Sequence, residues 1–160
     1  MPGGFYSQTR DLFGAYAYAS TRRAADGDNQ HIGQVTGITT TGNTPTKLTA
    51  DRGAVSSTNI MVLPNNSSYS GIWMIHARDS AGNGATWWRA FRGKRDANAA
   101  STAVSYDADL IAPSIDAGLA GVTAAIVADT TQGGLAVEFT GLAATTIDIN
   151  AEPFALQIVR

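Results

Sequence analysis

The stretch of sequence that decides the fold is Ser70–Arg95, SGIWMIHARDSAGNGATWWRAFRGKR. Its two halves alternate with a period of two, as the opposite faces of a pleated strand require. The Ser-Ala-Gly-Asn-Gly run between them supplies residues that tolerate a tight turn, so the stretch predicts a β-hairpin. The alternation assigns Trp73, Ile75, Ala77, Trp87 and Phe91 to one face, and Met74, His76, Arg78, Trp88, Arg92 and Lys94 to the other.

A second hairpin is predicted from Val122–Ala128 and Leu135–Thr140, with Leu135, Val137 and Phe139 inward and Ala136, Glu138 and Thr140 outward. Helical periodicity is nowhere sustained, and the strand-like runs are spaced as in a sandwich or barrel. We therefore predict an all-β, single-domain antiparallel sandwich or jelly-roll-like barrel over residues 31–160, preceded by an extended N-terminal arm over residues 1–30. The other predicted strands are His31–Thr40, Thr46–Ala50, Asn59–Leu63, Thr102–Tyr106, Leu110–Ala112, Thr145–Ile149 and Phe154–Val159.

The predicted arm is aromatic. The alternation in Gly14–Ser20 predicts one strand with two tyrosines on the same face. An aromatic terminal segment either docks on a neighbouring molecule or folds back on its own domain; we favour docking. The arm residues predicted to bind a partner are Phe5, Tyr6, Phe13, Tyr16 and Tyr18.

Composition excludes several classes of protein. Cysteine is absent, so there is no disulfide framework and no thiolate metal site. The N-terminus lacks the pattern of a secretory signal, and the longest apolar run, Ala117–Ala128, is too short to span a bilayer. We therefore expect synthesis in a cytoplasm and no membrane partner. Ala117–Ala128 is apolar on both faces, so it is either a contact between subunits or a buried central strand.

Charge is sparse and uneven along the chain. Only 15% of residues are charged, and residues 1–95 carry ten Lys/Arg against five Asp/Glu, whereas residues 96–160 carry one against eight. Such asymmetry indicates either a nucleic-acid surface or a polar contact between parts. Because the two signs nearly balance, we expect contact between the two parts, within one chain or between neighbouring copies.

No catalytic or metal-binding motif accompanies the strands. His31 and His76 are the only histidines, and we interpret both as packed or hydrogen-bonded rather than catalytic. Asp107 and Asp109 could share a strand face, as the paired carboxylates of glycosidases do across a sugar cleft. A single pair among thirteen acidic residues is expected by chance. We therefore predict no enzyme activity, no catalytic residues, no metal and no cofactor.

The basic residues of the first hairpin alternate with aromatic ones, which superficially resembles a platform for single-stranded nucleic acid. The sequence pI of about 5.5 and the acidic remainder argue against nucleic acid as a partner. Trp73 and Trp87 are interpreted as core residues. Trp88, on the face with Arg92, is the candidate partner-binding tryptophan, and an exposed tryptophan could also stack on a sugar ring.

Three motifs in order give the chain a family resemblance. They are Ile75–Asp79 (IHARD), Trp87–Arg95 (WWRAFRGKR) and Ala125–Asp148, which contains ADTTQGGLAVEFTGLAATTID. Together they resemble a module found at the ends of tail fibres and in small structural proteins of tailed bacteriophages. The likeness covers about residues 33–149. It departs at Asp148-Ile-Asn, where the family pattern has a tryptophan, and residues 1–30 lie outside it.

The resemblance implies a non-enzymatic structural protein of a phage particle, made in the host cytoplasm and assembled as a homotrimer. Since neither a shaft nor a particle-binding region precedes the module, we expect a capsid decoration or cement protein that binds the major capsid protein or other virion proteins. A tail-fibre or spike module that recognises host-surface glycans is the alternative. A third possibility is a glycan depolymerase that uses Asp107 and Asp109.

Overall fold

The structure is a computed structural model that describes residues 2–3, 7–19 and 22–160. The described residues form thirteen β-strands and two short 3-10 turns, at Ala99–Ser101 and Ala117–Leu119. The strands are β1 (Pro2–Gly3), β2 (Ala15–Tyr18), β3 (Asn29–Gln34), β4 (Thr36–Thr40), β5 (Thr46–Lys47), β6 (Met61–Val62), β7 (Ser67–Asp79), β8 (Gly84–Arg95), β9 (Ala103–Asp109), β10 (Ser114–Ile115), β11 (Thr123–Asp129), β12 (Gly134–Thr140) and β13 (Ile147–Val159).

Nine strands make the larger sheet, in the order β1-β2-β3-β13-β7-β8-β10, with β4 also on β13 and β9 also on β8. The other four make a smaller sheet, in which β12 pairs with β11 on one side and with β5 and β6 on the other. All pairs are antiparallel except that of the two-residue β1 with β2. This is the predicted all-β architecture, and because neither sheet closes into a barrel, it is a sandwich.

The hydrophobic core lies between the two sheets. Trp73 and Phe91 of the larger sheet have ring centroids 6.1 Å apart, and Trp87 meets Phe139 of the smaller sheet edge-on at 6.0 Å. The alternation of the first hairpin is confirmed along its whole length, since every residue predicted to face inward is buried. The predictions that Ala136 faces outward and that residues 110–112 form a strand are wrong, because Ala136 is buried and 110–112 form no strand.

The last strand, β13, lies inside the larger sheet, where the sequence predicts two strands, Thr145–Ile149 and Phe154–Val159. All thirteen of its residues pair with β7. On its other side, the pairing stops after Ala151 and resumes at Ala155 in an unchanged register, opposite Thr36 and Ile32. Proline has no backbone N–H to donate, and this explains why β3 and β4 are two strands although they lie along one line.

The described part of the predicted arm lies on this sandwich. β2 pairs with β3, so residues 15–18 continue the larger sheet. Before it, the Arg10 guanidinium donates to Gln157 Oε1 at 2.5 Å and to the Gly27 carbonyl at 2.7 Å. Gln157 also accepts hydrogen bonds from Gln30 Nε2 and the Tyr69 hydroxyl. Residues 7–19 are thus held by a strand ladder and by a partly buried polar network, which we call the Arg10 network.

Ala117–Ala128, predicted as a contact between subunits or a central strand, divides into the second 3-10 turn and most of β11. β11 is an edge strand, because β12 is the one strand of the described ranges with which it pairs. Its free edge faces β9, and the Asp107 carboxylate accepts a hydrogen bond from the Ile126 N–H at 3.0 Å. The central-strand interpretation is therefore wrong for this segment.

Candidate binding surface

We call the face of the larger sheet that points away from the core the outer face, and among the described residues no element packs over its centre. It presents large apolar side chains that are between 38% and 63% exposed. Monomeric proteins rarely leave a contiguous apolar patch of this kind without a function. The members of this apolar patch are Tyr18, Met74, Trp88, Tyr106, Phe154, Leu156 and Ile158.

The strand register makes the patch continuous. Phe154 lies opposite Ile72, and Met74 lies opposite Trp88. Residues directly opposite one another on antiparallel strands have Cβ atoms about 5 Å apart. The patch therefore crosses β13, β7 and β8 without a break. Tyr18 extends it through His31 on β3, which lies opposite Leu156.

Tyr16 is the arm tyrosine that packs on its own sheet. Its ring lies over Gly33, where an added Cβ would come within 2.3 Å of the ring, and its hydroxyl donates to Glu152 at 2.7 Å. Burial, together with the hydrogen bond to the Glu152 carboxylate, raises the pKa of Tyr16 to about 12. Tyr18, two residues on, remains exposed.

His31 lies between Tyr16 and Phe154, with its ring centroid 4.2 Å from that of Phe154. Its Nε2 is buried and has no hydrogen-bond partner among the described residues. Burial lowers the pKa of His31, although the nearby Glu152 carboxylate opposes the shift. The ring is consequently neutral at pH 7 and acts as packing under the patch, in agreement with the sequence interpretation.

The opposite end of the outer face is polar and basic. A groove of about 710 Å³ runs between the ends of β7, β8 and β13, and we call it the basic groove. The groove holds three cationic side chains and one carboxylate. It is lined by Asn66, Ser67, Ser68, Arg92, Lys94, Asp96, Ser105, Ile158 and Arg160.

The predicted partner-binding residues occupy different places. Trp88 and Arg92 are both exposed on the outer face. Phe13 is 58% exposed in the turn before β2. Phe5 and Tyr6 lie outside the described residues. The structure thus brings Tyr18, Trp88 and Arg92 onto one face, with Tyr16 packed beside them.

Asp107 and Asp109, the carboxylates considered for catalysis, are both ion-paired to Arg89. Arg89 Nε donates to Asp107 at 2.7 Å, and its Nη1 donates to Asp109 at the same distance. The hydrogen bond to Asp107 is the main reason why the pKa of Arg89 is raised. Because Asp107 also accepts the Ile126 N–H, the cluster joins the edges of the two sheets, which is a structural task.

The remaining candidates also have structural partners. His76 Nδ1 lies 3.2 Å from the Thr86 hydroxyl on the neighbouring strand. In the described part of the chain, no group of three or more His, Asp or Glu residues could hold a metal ion. Within the same ranges, no helix is long and apolar enough to cross a membrane.

Sequence reasoning missed the centre of the apolar patch. Phe154, Leu156 and Ile158 alternate with Ala155 and Gln157, a pattern that normally places the larger apolar residues in the core. Here the order is inverted, because Gln157 is needed inside for the Arg10 network. The inversion follows from the long-range hydrogen bond between Arg10 and Gln157, which no local pattern in the sequence indicates.

Comparisons with known proteins bring no further information. No protein-family model matches the chain, and neither a curated protein nor a solved structure matches it.

Proposed function

We propose that this chain is a non-enzymatic structural protein of a bacteriophage particle, and that it decorates or cements the capsid by binding the shell protein through the apolar patch. The observation that carries the proposal is the uncovered outer face, at whose centre Phe154 and Leu156 are 60% and 63% exposed. A shell-bound protein needs such a face, since burying apolar area drives most protein association. The proposal that the particle is a bacteriophage rests on the resemblance to phage virion modules.

The area of the patch supports a stable interface. A large side chain offers roughly 200 Å² when fully exposed, so seven that are about half exposed offer roughly 700 Å². A specific protein interface buries about 800 Å² on each partner. The patch, which includes Tyr18 of the arm, therefore nearly supplies one side of a standard interface by itself.

The copy number of this chain in purified particles, relative to the major shell protein, tests the proposal. A ratio near that of the shell protein supports decoration. A handful of copies per particle would instead support the alternative, a tail-fibre or spike module that recognises glycans. Absence from particles would overturn both and reopen the enzyme interpretation.

Leu156→Asp tests whether the patch is the contact. Because the side chain is mostly exposed, the domain should fold normally while attachment to shells stripped of this protein falls at least about tenfold, as expected for a central interface residue. Ile111→Asp is the matched control, since Ile111 is 59% exposed but lies outside the patch. Equal attachment of the Leu156→Asp protein would refute the assignment. Self-association of the free protein that Leu156→Asp abolishes would instead identify the patch as the contact between copies.

The arm is tested in the same assay. Phe5→Ala combined with Tyr6→Ala should weaken attachment to shells without unfolding the domain, if these aromatic residues dock on the neighbouring protein. Attachment that stays unchanged would contradict a docking role for the arm.

A further inference from the structure

We propose that the basic groove binds an acidic polysaccharide, with Arg92 gripping a sugar carboxylate. The inference does not depend on attachment to the shell, because it is argued from the polar side chains of the groove; Ile158 lines the groove and also belongs to the apolar patch. The inference holds wherever on the particle the protein sits.

Arg92 is oriented for this task by its neighbour on β9. Its Nε donates to the Ser105 hydroxyl at 3.0 Å, and that hydroxyl donates back to the Arg92 carbonyl at 3.1 Å. The guanidinium has five N–H donors in a planar fork. With Nε occupied, the two terminal nitrogens are left to grip both oxygens of a carboxylate, the strongest hydrogen-bonded pairing available to arginine.

The cations of the groove are at most weakly paired among the described residues. Most other described cations form ion pairs or donate to backbone carbonyls, such as Lys47 with Asp129. Neither Arg92 nor Arg160 has a carboxylate partner among the described residues. Lys94 pairs with Asp96, but both side chains are at least half exposed, so that pair is weak. The groove therefore keeps a net positive charge that a ligand can neutralise.

The remaining lining favours a sugar chain over a simple anion. Ser68 and Asn66 are exposed and offer a hydroxyl and an amide group for hydrogen bonds with sugar hydroxyls. Tyr106 is not part of the lining but lies beside the groove, directly opposite Arg92, and is 54% exposed, so its ring can support the apolar face of a sugar. A negative charge, hydroxyls and a flat apolar face occur together in uronic-acid polymers.

The test is isothermal titration of the full chain with an oligogalacturonate, with a neutral maltooligosaccharide of equal length as the comparison ligand. We expect the uronate to bind and the neutral sugar to bind at least about tenfold more weakly, since hydrogen bonds to charged groups are the stronger kind. Arg92→Gln should lower uronate affinity about tenfold. Ser105→Ala should lower it less, by freeing the guanidinium to rotate.

Arg78→Gln is the matched control, because Arg78 is exposed on the same face of β7 but lies outside the groove. It should change uronate affinity less than about twofold, as expected of an exposed charge away from the ligand. An equal loss in both glutamine variants would overturn the site, and so would the absence of uronate binding. Binding of a thymidine oligonucleotide as tightly as the uronate would show a general anion surface and would also overturn it.

Discussion

The fastening of the N-terminal segment by Arg10 leads to a quantitative prediction. Replacing Arg10 by alanine removes hydrogen bonds from a charged donor to Gln157 Oε1 and to the Gly27 carbonyl. Hydrogen bonds to charged groups contribute about 1.5–3 kcal/mol each. Both acceptors keep another donor in the variant. Gln157 Nε2 still donates to the Gly27 carbonyl, and Gln30 and Tyr69 still donate to Gln157 Oε1. The lower end of that range therefore applies to each of the two bonds. We expect Arg10→Ala to lower the free energy of unfolding by roughly 3 kcal/mol.

The backbone at Arg10 allows the side-chain effect to be isolated. Its φ of 52° lies in the left-handed region, which costs a residue with a Cβ about 1 kcal/mol or more. Arg10→Gly removes the same hydrogen bonds but also relieves this strain. The glycine variant should therefore be more stable than the alanine variant by about 1 kcal/mol, the reverse of the usual order.

Urea unfolding followed by tryptophan fluorescence measures these differences, because Trp73 and Trp87 are buried in the core. Arg78→Ala is the control, and as an exposed substitution it should stay within about 0.5 kcal/mol of the parent protein. Hydrogen exchange at the Leu12 and Phe13 amides should accelerate in Arg10→Ala. An Arg10→Ala protein as stable as the control would refute the view that this network fastens the segment.

Three further predictions concern the sandwich itself. Gly71→Ala should destabilise the fold by more than about 3 kcal/mol, because the new Cβ would lie 2.0 Å from a backbone oxygen of β13. Gly42→Ala is the control, since its Cβ would meet nothing closer than the Thr44 nitrogen at 4.0 Å, and equal melting temperatures of the two variants would contradict the prediction. Because the pKa of His31 is lower in the folded protein, the unfolded chain binds more protons than the folded one below about pH 6.5. The free energy of unfolding should therefore fall as the pH drops from 7 to 5.5. Urea unfolding of His31→Phe should show no such dependence on pH. Asp107→Asn should lower the free energy of unfolding by about 1–3 kcal/mol, and Asp109→Asn by less than 1 kcal/mol. The reason is that Asp107 is the less exposed of the two and also accepts the hydrogen bond from β11. Chemical denaturation that ranks the two variants in the opposite order would contradict this role.

The sequence was sufficient for local structure wherever one face of a strand is apolar and the other polar. The first hairpin shows this, since the alternation around Trp73 and Trp87 predicted both its pairing and its buried face. The long-range pairing of strands could not be predicted in this way. β3 and β13 are more than a hundred residues apart, and nothing in either segment specifies its partner.

Prediction of the candidate surface was limited by two kinds of exception. Pro153 ordinarily ends a strand, but here it sits where the neighbouring strand is interrupted, so two predicted strands are one. Gln157 ordinarily faces solvent, but it is buried to receive Arg10, which turns Leu156 outward. Trp88 and Arg92 were found because they lie on a strand with ordinary alternation. Both exceptions depend on contacts with distant residues, which local patterns do not record.

The central place of β13 in the larger sheet also determines the order in which the chain can fold during synthesis. The β7–β8 hairpin can close as soon as both strands have left the ribosome. β3 and β4, although made earlier, have to wait for β13 before they can join that hairpin. Pairing between such distant segments is slow, and unpaired edges are prone to aggregate in the interval. A nascent chain interrupted before residue 147 would therefore release a fragment with open edges on both halves of the sheet.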